Sequence, residues 1–208
     1  MNTQTKETQG KLTPKDAYNI LVEGNKRFLQ NVKAERNLQE QVLETSNGQY
    51  PFAVILSCID SRVPAEIVFD QGVGDIFSVR VAGNIVNEDV LGSMEYSCKV
   101  AGSKIVVVMG HSKCGAVNAA CNNVELGNIT PLLSKIKPAV ESIRKSENLS
   151  ENEQMKADTI EEVAQLNVNL SIERIRKESQ ILAEMEVEGE IEIVGAIYNV
   201  SNGQVNFL

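Results

Sequence analysis

The segment KIVVVMG, residues 104–110, constrains this chain most. Its β-branched residues follow one another without the apolar–polar alternation of a half-exposed strand. A short run of that kind suits a strand covered on both faces, as in a parallel sheet sandwiched between helices. Two further apolar runs, Phe52–Ser57 and Ile76–Val81, precede it. Between the second and third lies NEDVLGSMEYSCKVAGSK, with Asn87 placed to cap a helix and Gly102 to stop it. This strand–helix–strand order predicts an α/β fold around a central, mostly parallel sheet. A fourth strand over Ile191–Val200 and a turn at Ser201-Asn202-Gly203 lead into a short antiparallel edge strand over Gln204–Leu208. Four parallel strands plus that C-terminal edge, flanked by helices, make up the expected architecture.

Thr13-Pro14 reads as a helix start, and Tyr18, Leu21, Val22 and Phe28 then recur at helical spacing. Residues 14–30 are therefore expected to be helical, within an N-terminal helical arm over about 12–45 that is able to pack on a neighbouring subunit. Further helices are expected near Gly115, near Thr130-Pro131 and over 151–178. With no linker or repeat, residues 1–208 read as one domain.

Composition removes several function classes. The net charge of −8 disfavours nucleic acid as a partner, since phosphate binding needs clustered cations. No apolar run approaches the roughly 20 residues of a membrane helix. The first eleven residues lack the apolar core of a secretory signal, so a cytoplasmic location is expected. Four cysteines in such a chain point to metal ligation, catalysis or burial rather than to disulfides.

Two polar clusters follow strands directly: SCIDSR at 57–62 and HSKC at 111–114. In open parallel sheets ligands bind beyond the carboxyl ends of strands, so both clusters fall on one rim. If residues 58–62 stay extended, Cys58, Asp60 and Arg62 share a face. His111 and Cys114, three apart, suit a tight turn or a first helical turn. Cys58, His111 and Cys114 then offer two thiolates and one imidazole, a zinc-like set with a fourth position open. Asp60 either fills that position or is held off the metal by Arg62. Cys121 lies about 10 Å along a helix from Cys114, and Cys98 sits mid-helix; both read as packing residues.

CxDSR followed some 50 residues later by HxxCG resembles the β-class carbonic anhydrases, as do SCIDSRVPAEIVFDQGVGDIFSVRVAGN and GSMEYSCKVAGSKIVVVMGHSKCGAV around these motifs. The resemblance implies one Zn2+ per chain on Cys58, His111 and Cys114, with Asp60 and Arg62 as the catalytic dyad. It implies substrate contacts from Gln49, Phe77, Tyr96 and Gly115, in a pocket built at a subunit interface of a homodimer or homotetramer. The implied reaction is reversible hydration of carbon dioxide to bicarbonate and a proton, by a hydroxide generated on zinc and oriented by the dyad. Some bacterial members carry a tryptophan where this chain has Ile55, as part of an inhibitory bicarbonate site that Arg80 and Tyr198 otherwise resemble. Lack of that indole favours an open site with Asp60 on Arg62, rather than a closed one with Asp60 as fourth ligand. His111, the only histidine, is committed to metal, which leaves no second imidazole to carry the proton away. A carbonyl sulfide or carbon disulfide hydrolase is the nearest enzymatic alternative. A zinc-stabilised scaffold is the non-enzymatic one, and Asp60, Arg62 and Gln49 argue against it.

Overall fold

A computed structural model describes residues 3–150 and 153–208. Its strands are β1 (Ala53–Ser57), β2 (Ile76–Arg80), β3 (Ile105–His111), β4 (Glu192–Tyr198) and β5 (Val205–Phe207). They form one sheet in the order β2-β1-β3-β4-β5. β1 pairs in parallel with both β2 and β3, β3 in parallel with β4, and β4 antiparallel with β5. The expected four parallel strands and antiparallel edge are all present.

The missing alternation in KIVVVMG has a direct cause. Val54, Leu56, Val106 and Val108 face one apolar cluster, with Met94, Val168, Ile172 and Ile175. Ala53, Ile55, Ile105, Val107 and Met109 face the other, with Ala17, Leu21 and Phe69. Both faces are sealed, so neither set of positions tolerates a polar residue. Each such aliphatic side chain contributes about 1.5–3 kcal/mol by leaving water.

The helices are α1 (Lys6–Lys11), α2 (Pro14–Leu29), α3 (Leu38–Glu44), α4 (Ala65–Val68), α5 (Glu88–Glu95), α6 (Gly115–Cys121), α7 (Ile129–Leu133), α8 (Lys137–Ser146), α9 (Ala157–Glu178) and α10 (Gln180–Val187). α2 begins as its sequence predicts: Thr13 and Asp16 form a reciprocal capping box with Pro14 in the first turn. Asn87 caps α5 through a 3.0 Å bond from the Val90 amide. That helix runs on through a π-helical turn, Tyr96–Val100, before Gly102 turns the chain at φ +83°.

The differences from expectation are local. α1 lies ahead of the arm's expected start and has no apolar stripe to announce it. It is fixed instead by its Thr5–Thr8 capping box and by buried Gln9, whose amide donates to the carbonyls of Pro51 (2.7 Å) and Ala101 (2.8 Å). The long helix begins at Ala157; residues 151–152 of its expected span lie outside the described residues. Within the single chain, α2 buries Ala17 and Leu21 against its own sheet.

Asn25 joins α2 to two other elements. Its Nδ2 donates to the carbonyls of Val68 and Gly203, each at 3.0 Å, and its Oδ1 accepts from the Val205 amide at 3.0 Å. Asn25→Ala strands three buried backbone groups and should destabilise the fold by about 3 kcal/mol. A lowered denaturant midpoint at unchanged m-value checks this.

Candidate metal centre and active site

The sheet order reverses at β1 and β3: the chain leaves β1 for β2 on one side, then returns to place β3 on the other. Ligand sites in such sheets form at this switch point, beyond the strand ends. Both polar clusters emerge there.

The first does so in a turn. β1 ends at Ser57, so the extended geometry expected for residues 58–62 does not hold, and Ser61-Arg62 turn instead. Asp60 and Arg62 still meet, because the turn folds the side chains onto each other. Arg62 Nε donates to Asp60 Oδ1 at 2.9 Å and Nη2 to Oδ2 at 2.8 Å, while the Arg62 amide adds a third bond to Oδ1 at 2.9 Å. These bonds hold the Asp60 carboxyl well below the usual carboxylate range, with burial opposing them. A carboxylate with a depressed folded pKa keeps its pairing above the ordinary carboxylate range and loses it only as pH falls through the lowered value. At neutral pH Asp60 is therefore an acceptor only.

Arg80 closes the other side of this loop, donating to the carbonyls of Cys58 (3.1 Å) and Asp60 (2.6 Å). The guanidinium that resembles part of an anion site is thus spent on backbone. Ile55 is fully buried in the core, and Tyr198 is buried in the same apolar cluster.

His111 is the last residue of β3. Ser112 and Lys113 turn the chain, Lys113 at φ +55°, and Cys114 caps α6. Cys58, His111 and Cys114 come together with all ligand atoms within 4.8 Å of one another. All three are buried, and both cysteines sit in an apolar cluster with Ile85, Val117, Ile136 and Val163.

Two observations show that this trio fits a cation. First, His111 Nδ1 lies 2.9 Å from the Ser112 carbonyl, which can only accept, so Nδ1 carries the proton. Nε2 then presents a lone pair; it is buried and makes no hydrogen bond in the structure. Second, the proximity of Cys114 and Cys58 draws the Cys58 pKa down and forces that of Cys114 up, and His111 also favours the Cys58 thiolate. Two thiolates side by side in an apolar pocket need a positive partner, and two sulfurs with one imidazole nitrogen suit zinc. By contrast, burial pushes the Cys98 thiol up to about 12 and the Cys121 thiol up to about 11. Both lie outside the trio, as packing residues should.

The profile of a family described as carbonic anhydrase matches residues 53–205. Carbonic anhydrase 2 of Mycobacterium tuberculosis is 35% identical over 195 residues, covering 92% of this chain and 91% of that relative. The chain belongs to the β-class carbonic anhydrases. The carbonic anhydrase of Mycolicibacterium smegmatis is 34% identical over 199 residues, with 92% of each chain covered. The β-carbonic anhydrase CafA of Aspergillus fumigatus superposes with a TM-score of 0.71 at 28% identity, covering 82% of this chain and 81% of that one. Carbonic anhydrases of this class are zinc enzymes that interconvert carbon dioxide and bicarbonate, and Cys58, His111 and Cys114 form the group that fits the metal.

The other residues expected at the site are dispersed within one chain. Gly115 adjoins Cys114. Gln49 is exposed and enters β1 from its opposite end, a strand length of about 16 Å from Cys58 at 3.3 Å per residue. Phe77 pairs with Val54, well short of Cys58, and its ring meets that of Tyr96 edge-on at 6.2 Å. The sequence reading missed three residues that support the metal site, two in contact with the ligand segments and one behind them. Gly83 donates its amide to Cys58 Sγ at 3.3 Å, Asn167 Nδ2 donates to the Gly83 carbonyl at 3.0 Å, and Glu161 Oε1 accepts from the Lys113 amide at 2.7 Å. Only Gly83 carries a local signal, a glycine before asparagine just past a strand.

Cys58→Ser and His111→Ala should each abolish stoichiometric zinc binding, whereas Cys121→Ser should retain it. Metal analysis of the purified variants checks this.

Proposed function

We propose that the chain hydrates carbon dioxide at Cys58, His111 and Cys114 with Asp60 and Arg62 as its catalytic dyad. The supporting observation is the bidentate Asp60–Arg62 pair beside the trio, with Asp60 Oδ2 3.9 Å from His111 Nε2. Zinc, when bound, supplies the Lewis acidity that brings the pKa of a water from about 16 toward about 7. The chain's residues manage that water. Asp60, kept ionised by Arg62, can only accept a hydrogen bond. Placed beside the trio, it would accept a hydrogen bond from the nucleophile's O–H and so orient a lone pair toward the carbon of the substrate. Arg62 keeps Asp60 from serving as a fourth ligand, because its three bonds compete for both carboxylate oxygens. Its Nη2 also reaches the Lys113 carbonyl at 3.4 Å, which ties the dyad to the second ligand loop.

The substrate side of the pocket is assigned to a second copy of the chain. Gln49, Phe77 and Tyr96 lie away from the trio of their own chain, and among the described residues β2 is an edge strand with no strand paired on its outer side. Covering that edge with a second chain brings one copy's Gln49, Phe77 and Tyr96 toward the other's zinc. The working unit is a homodimer, alone or paired into a homotetramer, and it acts in the cytoplasm. No helix among the described residues is long and apolar enough to cross a membrane.

Two variants test the dyad and the shared site together. Asp60→Asn should keep zinc and lose most hydration in a stopped-flow assay, and Gln49→Ala should also lose activity. Co-expressed in equal amounts, they should recover about a quarter of wild-type activity, because half the dimers are mixed and each mixed dimer holds one intact site. Near-full activity in zinc-replete Asp60→Asn contradicts the dyad. No recovery on mixing contradicts the shared site.

A further inference from the structure

Of the metal trio, His111 ends β3, whereas Cys58 and Cys114 lie in the irregular segments that follow β1 and β3. Something must hold the two segments in register, and one helix bonds the second directly and the first through Gly83. α9 sends Asn167 to Gly83, whose amide donates to Cys58 Sγ, and sends Glu161 to the Lys113 amide in the turn joining His111 to Cys114. The two residues are six apart, about 9 Å along the helix axis.

Both contacts fall on backbone in the left-handed region. Gly83 sits at φ +68°, and a Cβ there would lie 2.6 Å from Ile136 Cδ1 and 3.2 Å from Ala116 Cβ. Lys113 is a non-glycine residue at φ +55°, a conformation that costs roughly 1 kcal/mol or more and persists only where neighbours impose it. Asn167 is nine-tenths buried, so its amide bond to Gly83 is shielded from water. The helix is itself seated closely. A Cβ on Gly110, the residue before His111, would come within 2.7 Å of Val168 Cγ2, and one on Gly195 within 2.9 Å of Val168 Cγ1. Two bare strand positions thus let α9 approach β3 and β4 at the depth its side chains need.

We propose that α9 is a two-point brace for the metal centre, with Asn167 and Glu161 as positioning residues. Asn167 fixes the Gly83 amide on the Cys58 sulfur, and Glu161 fixes the spacing of His111 and Cys114. Neither residue touches the metal or the substrate. The proposal rests on zinc binding at the trio, so wild-type affinity is measured first, and a wild-type chain that bound no zinc would refute that reading itself.

The test is zinc affinity by chelator competition, read beside the thiolate-to-metal charge-transfer band of the cobalt-substituted protein. Asn167→Asp cannot donate to the Gly83 carbonyl, yet its added negative charge by itself favours a cation, so a loss of affinity reports geometry rather than charge. Glu161→Ala removes both acceptor and charge, whereas Glu161→Gln removes only the charge. Losing an outer-shell partner should weaken zinc binding about 10- to 100-fold. That loss is expected in Asn167→Asp, in Asn167→Ala and in Glu161→Ala, with an altered charge-transfer band, and Glu161→Gln should bind like wild type. Circular dichroism of the metal-free proteins establishes that each is folded; Glu161 is only partly buried, so its pair decides its half of the brace even if position 167 proves intolerant. Wild-type affinity in folded Asn167→Asp or Glu161→Ala, or equal losses in Glu161→Gln and Glu161→Ala, would overturn the proposal.

Discussion

Two thiols and an imidazole, buried with their donor atoms within 4.8 Å of one another, cannot carry the negative charge of two thiolates without a cation. Much of the surrounding structure answers to that constraint. Parallel pairing of β1 with β3 sets Ser57 beside Met109, which brings Cys58 and His111 off neighbouring strand ends. The Ser112 carbonyl fixes the histidine tautomer, and the Gly83 amide supports one sulfur. Asp60 stands outside the trio, with both of its oxygens bonded to Arg62. The chain thereby places a third anionic group beside the trio, bonded to Arg62.

What could be read from the sequence divides by the range of the interactions involved. The sheet was legible because sealing both faces leaves an unbroken β-branched run, and α2 and α5 because their caps lie within three residues of the helices they start. The ligand trio was legible because parallel sheets put their chemistry at strand ends. α1 was not, since Gln9 earns its place through backbone groups 42 and 92 residues away. The turn at Ser61-Arg62 was missed because an alternating spacing also fits a strand. Glu161 and Asn167 left no local trace, because their roles exist only once α9 is docked.

The site is also divided across levels of structure. Within one chain the Cys58–His111–Cys114 trio and the Asp60–Arg62 pair lie together, while Gln49 and the Phe77–Tyr96 pair lie away from them, the latter along the β2 edge. A sheet edge left bare in an otherwise sealed α/β fold is a liability for a monomer and a natural seam for a second copy. In the proposed assembly, folding completes the metal centre and association completes the pocket for substrate.

The central claim is that Arg62 holds Asp60 away from the metal at neutral pH. A crystal structure of the zinc-loaded protein at pH 7 to 8 tests it most directly. Zinc is expected on Cys58, His111 and Cys114, with both Asp60 carboxylate oxygens still on Arg62. An Asp60 oxygen on zinc at about 2.0–2.2 Å, with the Arg62 pair broken, would contradict it.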